Sequence, residues 1–426
     1  MIIYFICYVA GFLFARFGYD RISGLLLILA AGYLYYSDYR KSDNLIHLRG
    51  LFSAFWVGGQ GIACLKLSKL QTDWSYQTWV CFFLAFLGFW MTFEILQRRH
   101  GRSDLFGVRN RRYGLAVRPV YQCLVALTLV SLAAFIIEAI SLGYVPLLVK
   151  GVPHAYSEFH IRGLHYFTVS CVLVPGLAVL YFLLGGSRNR RRNALVIGMA
   201  VLSILIPIFC VSRFQLVFAL LLALFTYAAY QKRIEPLHLI GMVIVLIPLY
   251  LLLTVARSHD VAYLNGIFEM KNSNIPIFIT QPYMYIANNY ENFNCLVEAL
   301  PTHTFGIRML FPLWALTGLK FLFPYLVSFP LYVNKAELTT VTMFYDAYYD
   351  FGMIGVLLFS CILGAVAFYL VDKLGKMRNP IGYLCYGQIA IYFVLSFFTT
   401  WFSNPTTWFY LILTGLIALY CAWNSH

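Results

Sequence analysis

The sequence predicts an all-α polytopic membrane protein of about twelve transmembrane helices, with one large polar loop, 257–345, that lies on the non-cytoplasmic face and contains short helices. Three observations predict it. The 426 residues are 61% AVILMFWYC and only 11% charged, with a mean hydropathy of +0.75, whereas soluble domains average about 25% charged residues. Stretches of about 20 mostly apolar residues, enough to cross a hydrocarbon core about 30 Å thick, recur along the whole chain. Lys and Arg collect in alternate connections between these stretches, the asymmetry that orients helices in a bilayer.

Met1 to Phe17 runs straight into a second apolar stretch, so it reads as a first span rather than a cleaved signal peptide. Apolar periodicity and breakers place spans near 2–17, 23–37, 48–66, 75–97, 119–142, 164–185, 194–212, 214–230 and 237–256. Three more follow near 346–370, 381–399 and 407–424. The chain thus divides into an N-terminal bundle, 1–256, the loop 257–345, and a C-terminal group of helices, 346–426. The basic connections are Arg40–Lys41, Arg98 to Arg118, Arg188 to Arg192, Lys232–Arg233 and Lys373 to Arg378, which hold eighteen of the 31 Lys and Arg. Both termini are then cytoplasmic. Phe311 to Val333 is apolar, yet it carries Lys320 and three prolines, and a full crossing would move Lys373 to Arg378 outside. It reads as an interfacial or re-entrant segment, because irregular backbone at membrane depth is tolerated where protein or water surrounds it.

The formal net charge of +14 does not call for nucleic acid, since the basic blocks flank spans and the bilayer explains them. Ten cysteines are scattered without a CxxC and read as small core residues. His154, His160 and His165 match no zinc spacing, and no P-loop, GxSxG or HExxH appears, so no metal or cofactor is expected.

Candidate site residues gather at the outer rim. Arg162, Arg213 and Arg257 each sit where a span meets that face, and an Arg there can fork two donors onto a phosphate. The competing reading is an interfacial anchor snorkelling to water. Glu138, near the outer end of the fifth span, is an ionisable group at membrane depth and a site candidate on that ground. In the loop, Asn289, Tyr290, Glu291 and Arg308 combine amide, carboxylate, guanidinium and ring faces that suit sugars. His303 and Glu298 are each able to deprotonate an acceptor hydroxyl. Asp346 and Asp350, at i and i+4, share a helical face at the start of the tenth span, either as capping groups or as a general base.

Four places resemble the Wzy-type oligosaccharide repeat unit polymerases, which include O-antigen and capsule polymerases. They are Gly143 to Leu148, Ser212-Arg213 heading an apolar span, Asn288 to Leu296 leading to Thr304-Phe305-Gly306, and Tyr349 to Gly355. The family's Gly beside the Arg is here Ser212 before and Phe214 after. The resemblance implies a metal-independent, GT-C-like glycosyltransferase in the bacterial inner membrane. It would act on undecaprenyl-diphosphate-linked repeat units at the outer face, beside a flippase and a chain-length regulator. Arg162, Arg213 and Arg257 would then hold diphosphates, and His303, Glu298, Asp346 or Asp350 would activate the acceptor. An O-antigen ligase shares the donor and architecture. A lipid-linked oligosaccharide flippase or another transporter would instead line its midplane with polar groups, and here the ionisable residues cluster at the rim.

Overall fold

A computed structural model describes residues 1–100, 117–149, 155–231, 237, 240, 241, 244, 261–272 and 274–424. These residues are mostly helical, and among them extended pairing is limited to one antiparallel bridge, Ser68 to Met270. The chain begins with a hairpin of α1 (Ile2–Arg16) and α2 (Asp20–Ser42). Next, α3 (Leu48–Phe52) continues through a π turn, Ser53–Val57, into α4 (Gly58–Ala63). After α5 (Tyr76–His100) and α6 (Val117–Leu142) come the short α7 (Ala155–Glu158) and α8 (His165–Val169). A 3-10 turn joins α8 to α9 (Val174–Leu183), and α10 (Arg190–Phe209) and α11 (Arg213–Gln231) follow. The remaining helices are α12 (Val261–Phe268), α13 (Ile277–Ala299), α14 (Phe311–Leu316), α15 (Leu319–Leu322), α16 (Tyr345–Leu374), α17 (Ile381–Val394) and α18 (Pro405–Trp423).

Seven helical stretches among the described residues are long and apolar enough to cross a membrane: 76–100, 117–142, 165–183, 190–209, 213–231, 345–374 and 405–423. α1 and α17 are apolar but shorter. The chain is a multi-pass membrane protein, whose helices turn Leu29, Ile140, Leu358 and Leu419 outward. The expected span 237–256 falls largely outside the described residues.

Without water to drive apolar association inside a bilayer, helices pack where small residues let backbones approach. Gly364 of α16 lies so close to α5 that a Cβ there would stand 2.4 Å from the Phe89 carbonyl oxygen. Gly24 of α2 meets Gly61 of α4 in the same way, with 2.6 Å left for a Cβ.

Contacts between connections sort the bundle into two ends. At one end Lys69 N–H donates to the Glu269 carbonyl at 2.8 Å, Lys271 N–H to Leu67 at 2.9 Å and Met343 N–H to Ser396 at 2.9 Å. At the other, Tyr386 Oη donates to the Ile46 carbonyl at 2.8 Å and Asn379 Nδ2 to Ala418 at 2.7 Å. This second end also holds Arg49, which is buried and paired with Asp38 and Glu94.

The polar loop differs from the expectation of short helices alone. α13 is 23 residues long, and its polar side chains are the reason. Tyr283 donates to Gln71 Oε1 at 2.6 Å, Asn289 Nδ2 to the Phe397 carbonyl at 2.8 Å, and Tyr290 to the Trp56 carbonyl at 2.7 Å. Apart from Trp56, these partners belong to the first end of the bundle, so α13 is fastened to that end. Phe311 to Val333 is broken into α14, α15 and a 3-10 turn at Pro324–Leu326, and it exposes Phe321, Leu322 and Tyr325.

Candidate functional site

The site grows from the start of α16. Asp350, with no exposed surface, accepts hydrogen bonds from the Thr304 hydroxyl, from Arg308 N–H at 3.2 Å and from Met309 N–H at 2.7 Å. It thereby folds 304–309 against the helix. One turn earlier, Asp346 accepts from Arg308 Nε, and the guanidinium lies 4.5 Å from the Tyr349 ring centroid and 5.4 Å from that of Tyr345. Two residues beyond Asp350 the helix breaks at Gly352, whose φ of 61° and ψ of −146° belong to a region that only Gly occupies readily. The break makes room for His303, since a Cβ on Gly352 would stand 3.0 Å from its Nε2.

Arg308 and Asp346 line a cleft of about 360 Å³. Thr400, Ser403 and Asn404 contribute hydroxyl and amide groups to it, while Phe311, Leu326, Val327 and Phe329 form an apolar wall. Among the described residues, nothing bonds the two Nη nitrogens of Arg308. Burial works against the Arg308 charge, but the charge of Asp346 and its hydrogen bond outweigh that and raise the guanidinium above its ordinary range. The cleft therefore offers a permanent cation with two free donors, a carboxylate, small polar groups and an apolar flank. That set suits an oxyanion carried on an apolar chain.

The other expected site residues fall elsewhere. Asp350 is a carboxylate with no exposed surface whose three accepted hydrogen bonds hold the loop 304–309. Asn289, Tyr290 and Glu291 are buried as well. Glu291 accepts from Thr72 N–H at 2.9 Å, the Thr72 hydroxyl and Trp74 Nε1 at 3.0 Å, while Asn289 Oδ1 accepts from Thr340 at 2.6 Å. Glu138 is buried too and binds the segment after α7, accepting from Ile161 N–H at 3.0 Å and Thr168 Oγ1 at 2.8 Å, with His165 Nδ1 at 3.1 Å. The hydrogen bonds of these buried groups tie distant segments of the chain together.

His303 is exposed, and its Nδ1 lies 3.2 Å from the Tyr349 carbonyl. A carbonyl only accepts, so Nδ1 is the donor in this contact. Glu298, exposed near the end of α13, accepts from Asn294 Nδ2 at 3.1 Å. Neither lines the cleft. Arg162 is exposed and lies 5.7 Å from the ring of Phe321, in the same segment as the cleft's apolar wall. Arg213 is buried at the head of α11, where the next residue, Phe214, stacks on Phe398 and Trp401 behind the stretch that lines the cleft. Arg257 lies outside the described residues.

Sequence reading missed Thr400, Ser403 and Asn404 because the apolar run appeared to continue to 399, whereas α17 ends at Val394. Asn404-Pro405 was the available signal: Asn404 Oδ1 accepts from Thr406 N–H at 2.9 Å, and Pro405 fills the first helical position. Compared with family models, curated proteins and solved structures, the chain matches none.

Proposed function

We propose that the chain is a membrane-embedded, metal-independent glycosyltransferase that polymerises undecaprenyl-diphosphate-linked oligosaccharide repeat units into O-antigen, capsular polysaccharide or exopolysaccharide. In this reading it lies in the bacterial cytoplasmic membrane with about twelve spans, both termini cytoplasmic and the Arg308 cleft at the outer face. A flippase supplies its units and a chain-length regulator accompanies it.

The observation that supports this most is Arg308, held by Asp346 with two free donors beside an apolar wall. In the reaction, an acceptor hydroxyl oxygen bonds to the anomeric carbon of the growing chain as that carbon's bond to the diphosphate oxygen breaks. The diphosphate leaves with the electron pair, and the hydroxyl proton passes to the Asp346 carboxylate. Arg308 offsets the charge that builds on the leaving group. Thr400, Ser403 and Asn404 hydrogen-bond sugar hydroxyls, and the wall of Phe311, Leu326, Val327 and Phe329 receives the lipid.

The test is purified protein with lipid-linked units alone. Arg308→Ala is expected to slow laddering by about 100-fold or more with membrane insertion intact, and parental chain growth in that variant would refute the assignment. Laddering in the parent protein without lipid A core separates a polymerase from a ligase.

A further inference from the structure

A second cavity, of about 500 Å³, lies at the turn between α1 and α2. Three segments far apart in sequence bring cations to it: Arg21 from the first turn of α2, Lys66 from the connection after α4, and Lys271 from the connection after α12. Lys66 is committed within the protein, to Asp20 at 3.1 Å and to Asp73. The side chains of Arg21 and Lys271 make no ion pair or hydrogen bond among the described residues, so the cavity keeps an excess of positive charge. Arg16, which closes α1, adds to it from the adjoining hollow lined by Asp20, Lys66 and Asp73. The rest of the lining is largely apolar, with Ile22, Leu65, Leu67 and Ile275.

The α1–α2 turn exposes Phe17, Tyr19 and Ile22 beside Arg16 and Arg21, the mixture of aromatic, apolar and cationic side chains that sits at the level of lipid headgroups. α1 and α2 also form an outward-facing apolar edge, where Ile6, Leu13, Phe17, Leu25 and Leu29 are exposed. Lipid thus reaches the mouth of the cavity, and unpaired cations at headgroup depth attract its phosphate.

We propose that this cavity binds the phosphate-bearing headgroup of an anionic membrane lipid, separately from the Arg308 cleft and independently of the reaction assigned there. The test uses the full-length protein in detergent, with lipid adducts counted by native mass spectrometry and thermal unfolding followed as lipid is added. Phosphatidylglycerol is expected to bind and raise the unfolding midpoint, and phosphatidylcholine to do neither. Arg21→Gln with Lys271→Gln should weaken phosphatidylglycerol binding by about 30-fold. Lys69→Gln, an exposed cation of the same connection outside the cavity, and Arg308→Ala should leave it unchanged. If the double variant does not fold, Lys271→Gln alone, at an exposed position, should still weaken binding by about fivefold. Unchanged phosphatidylglycerol binding in these cavity variants would overturn the proposal, as would equal stabilisation by phosphatidylcholine. Equal stabilisation by inorganic phosphate at matched concentration would make this a site for free phosphate and overturn the lipid assignment.

Discussion

Asp350→Asn separates a structural carboxylate from a chemical one. Asp350 Oδ1 receives the Thr304 hydroxyl and Arg308 N–H, and Oδ2 receives Met309 N–H at 2.7 Å. Asn has nearly the same shape but only one acceptor oxygen. If that oxygen keeps Thr304 and Arg308, the amide nitrogen faces Met309 N–H, donor against donor, with no water to take either proton. A hydrogen bond to a charged group contributes about 1.5–3 kcal/mol, and a buried donor left unsatisfied costs about 1–3 kcal/mol more. The substitution should therefore destabilise the protein by roughly 3–5 kcal/mol and loosen 304–309, taking Arg308 away from Asp346. Thermal unfolding in detergent, set beside laddering of lipid-linked units at low temperature, measures both effects. Thr304→Val, which removes one of the three bonds, should show a smaller loss of the same kind. If Asp350→Asn unfolds with the parent protein while laddering disappears, Asp350 acts chemically and the structural reasoning fails.

Arg308→Lys keeps the charge but loses the planar fork, and chain growth should fall between the parent and Arg308→Ala in a rate assay with lipid-linked units. Gly352→Ala should destabilise by about 1–3 kcal/mol through its backbone angles, with crowding of His303 added; an unchanged unfolding midpoint would contradict the kink. Arg162→Ala removes an exposed ring contact and should change the laddering rate by no more than about fivefold. The pair of Lys66 and Asp73 makes stability depend on pH. A hydrogen bond from Lys66, and then its charge, hold the Asp73 carboxyl below its ordinary 3.8, so the pair's contribution is complete above that value and disappears as pH falls through the lowered one. Burial works against the Lys66 charge, but Asp73 and Asp20 together raise its ammonium above the ordinary 10.5, so the contribution is complete below 10.5 and disappears as pH rises through the raised value. Asp73 is mostly exposed, so salt should weaken the acid limb in unfolding scans.

Much of the bundle was legible in one dimension. The stretches 75–97, 119–142 and 346–370 return as α5, α6 and α16 with ends moved by at most four residues, because a long apolar run is a local property. α13 was not legible. Asn288, Asn289, Glu291, Asn292 and Asn294 read as a solvated loop, yet their side chains meet partners near 67–78 and 334–342, and nothing in the local sequence announces those partners. Asn292 Nδ2, for example, donates to the carbonyls of Leu338 at 2.7 Å and Thr340 at 2.8 Å. The site divided along the same line. Asp346 and Asp350 are equivalent in spacing and chemistry, but one lines a cleft and the other is sealed beneath a loop.

By itself the sequence determined that this chain belongs in a bilayer and which stretches become long apolar helices, since transfer of apolar residues from water adds up residue by residue along the chain. Only the tertiary structure decided which polar groups fasten the loops and which face a cleft. A buried donor or acceptor must be satisfied by whatever group lies beside it, and for Glu291 that group, Thr72, is 219 positions away.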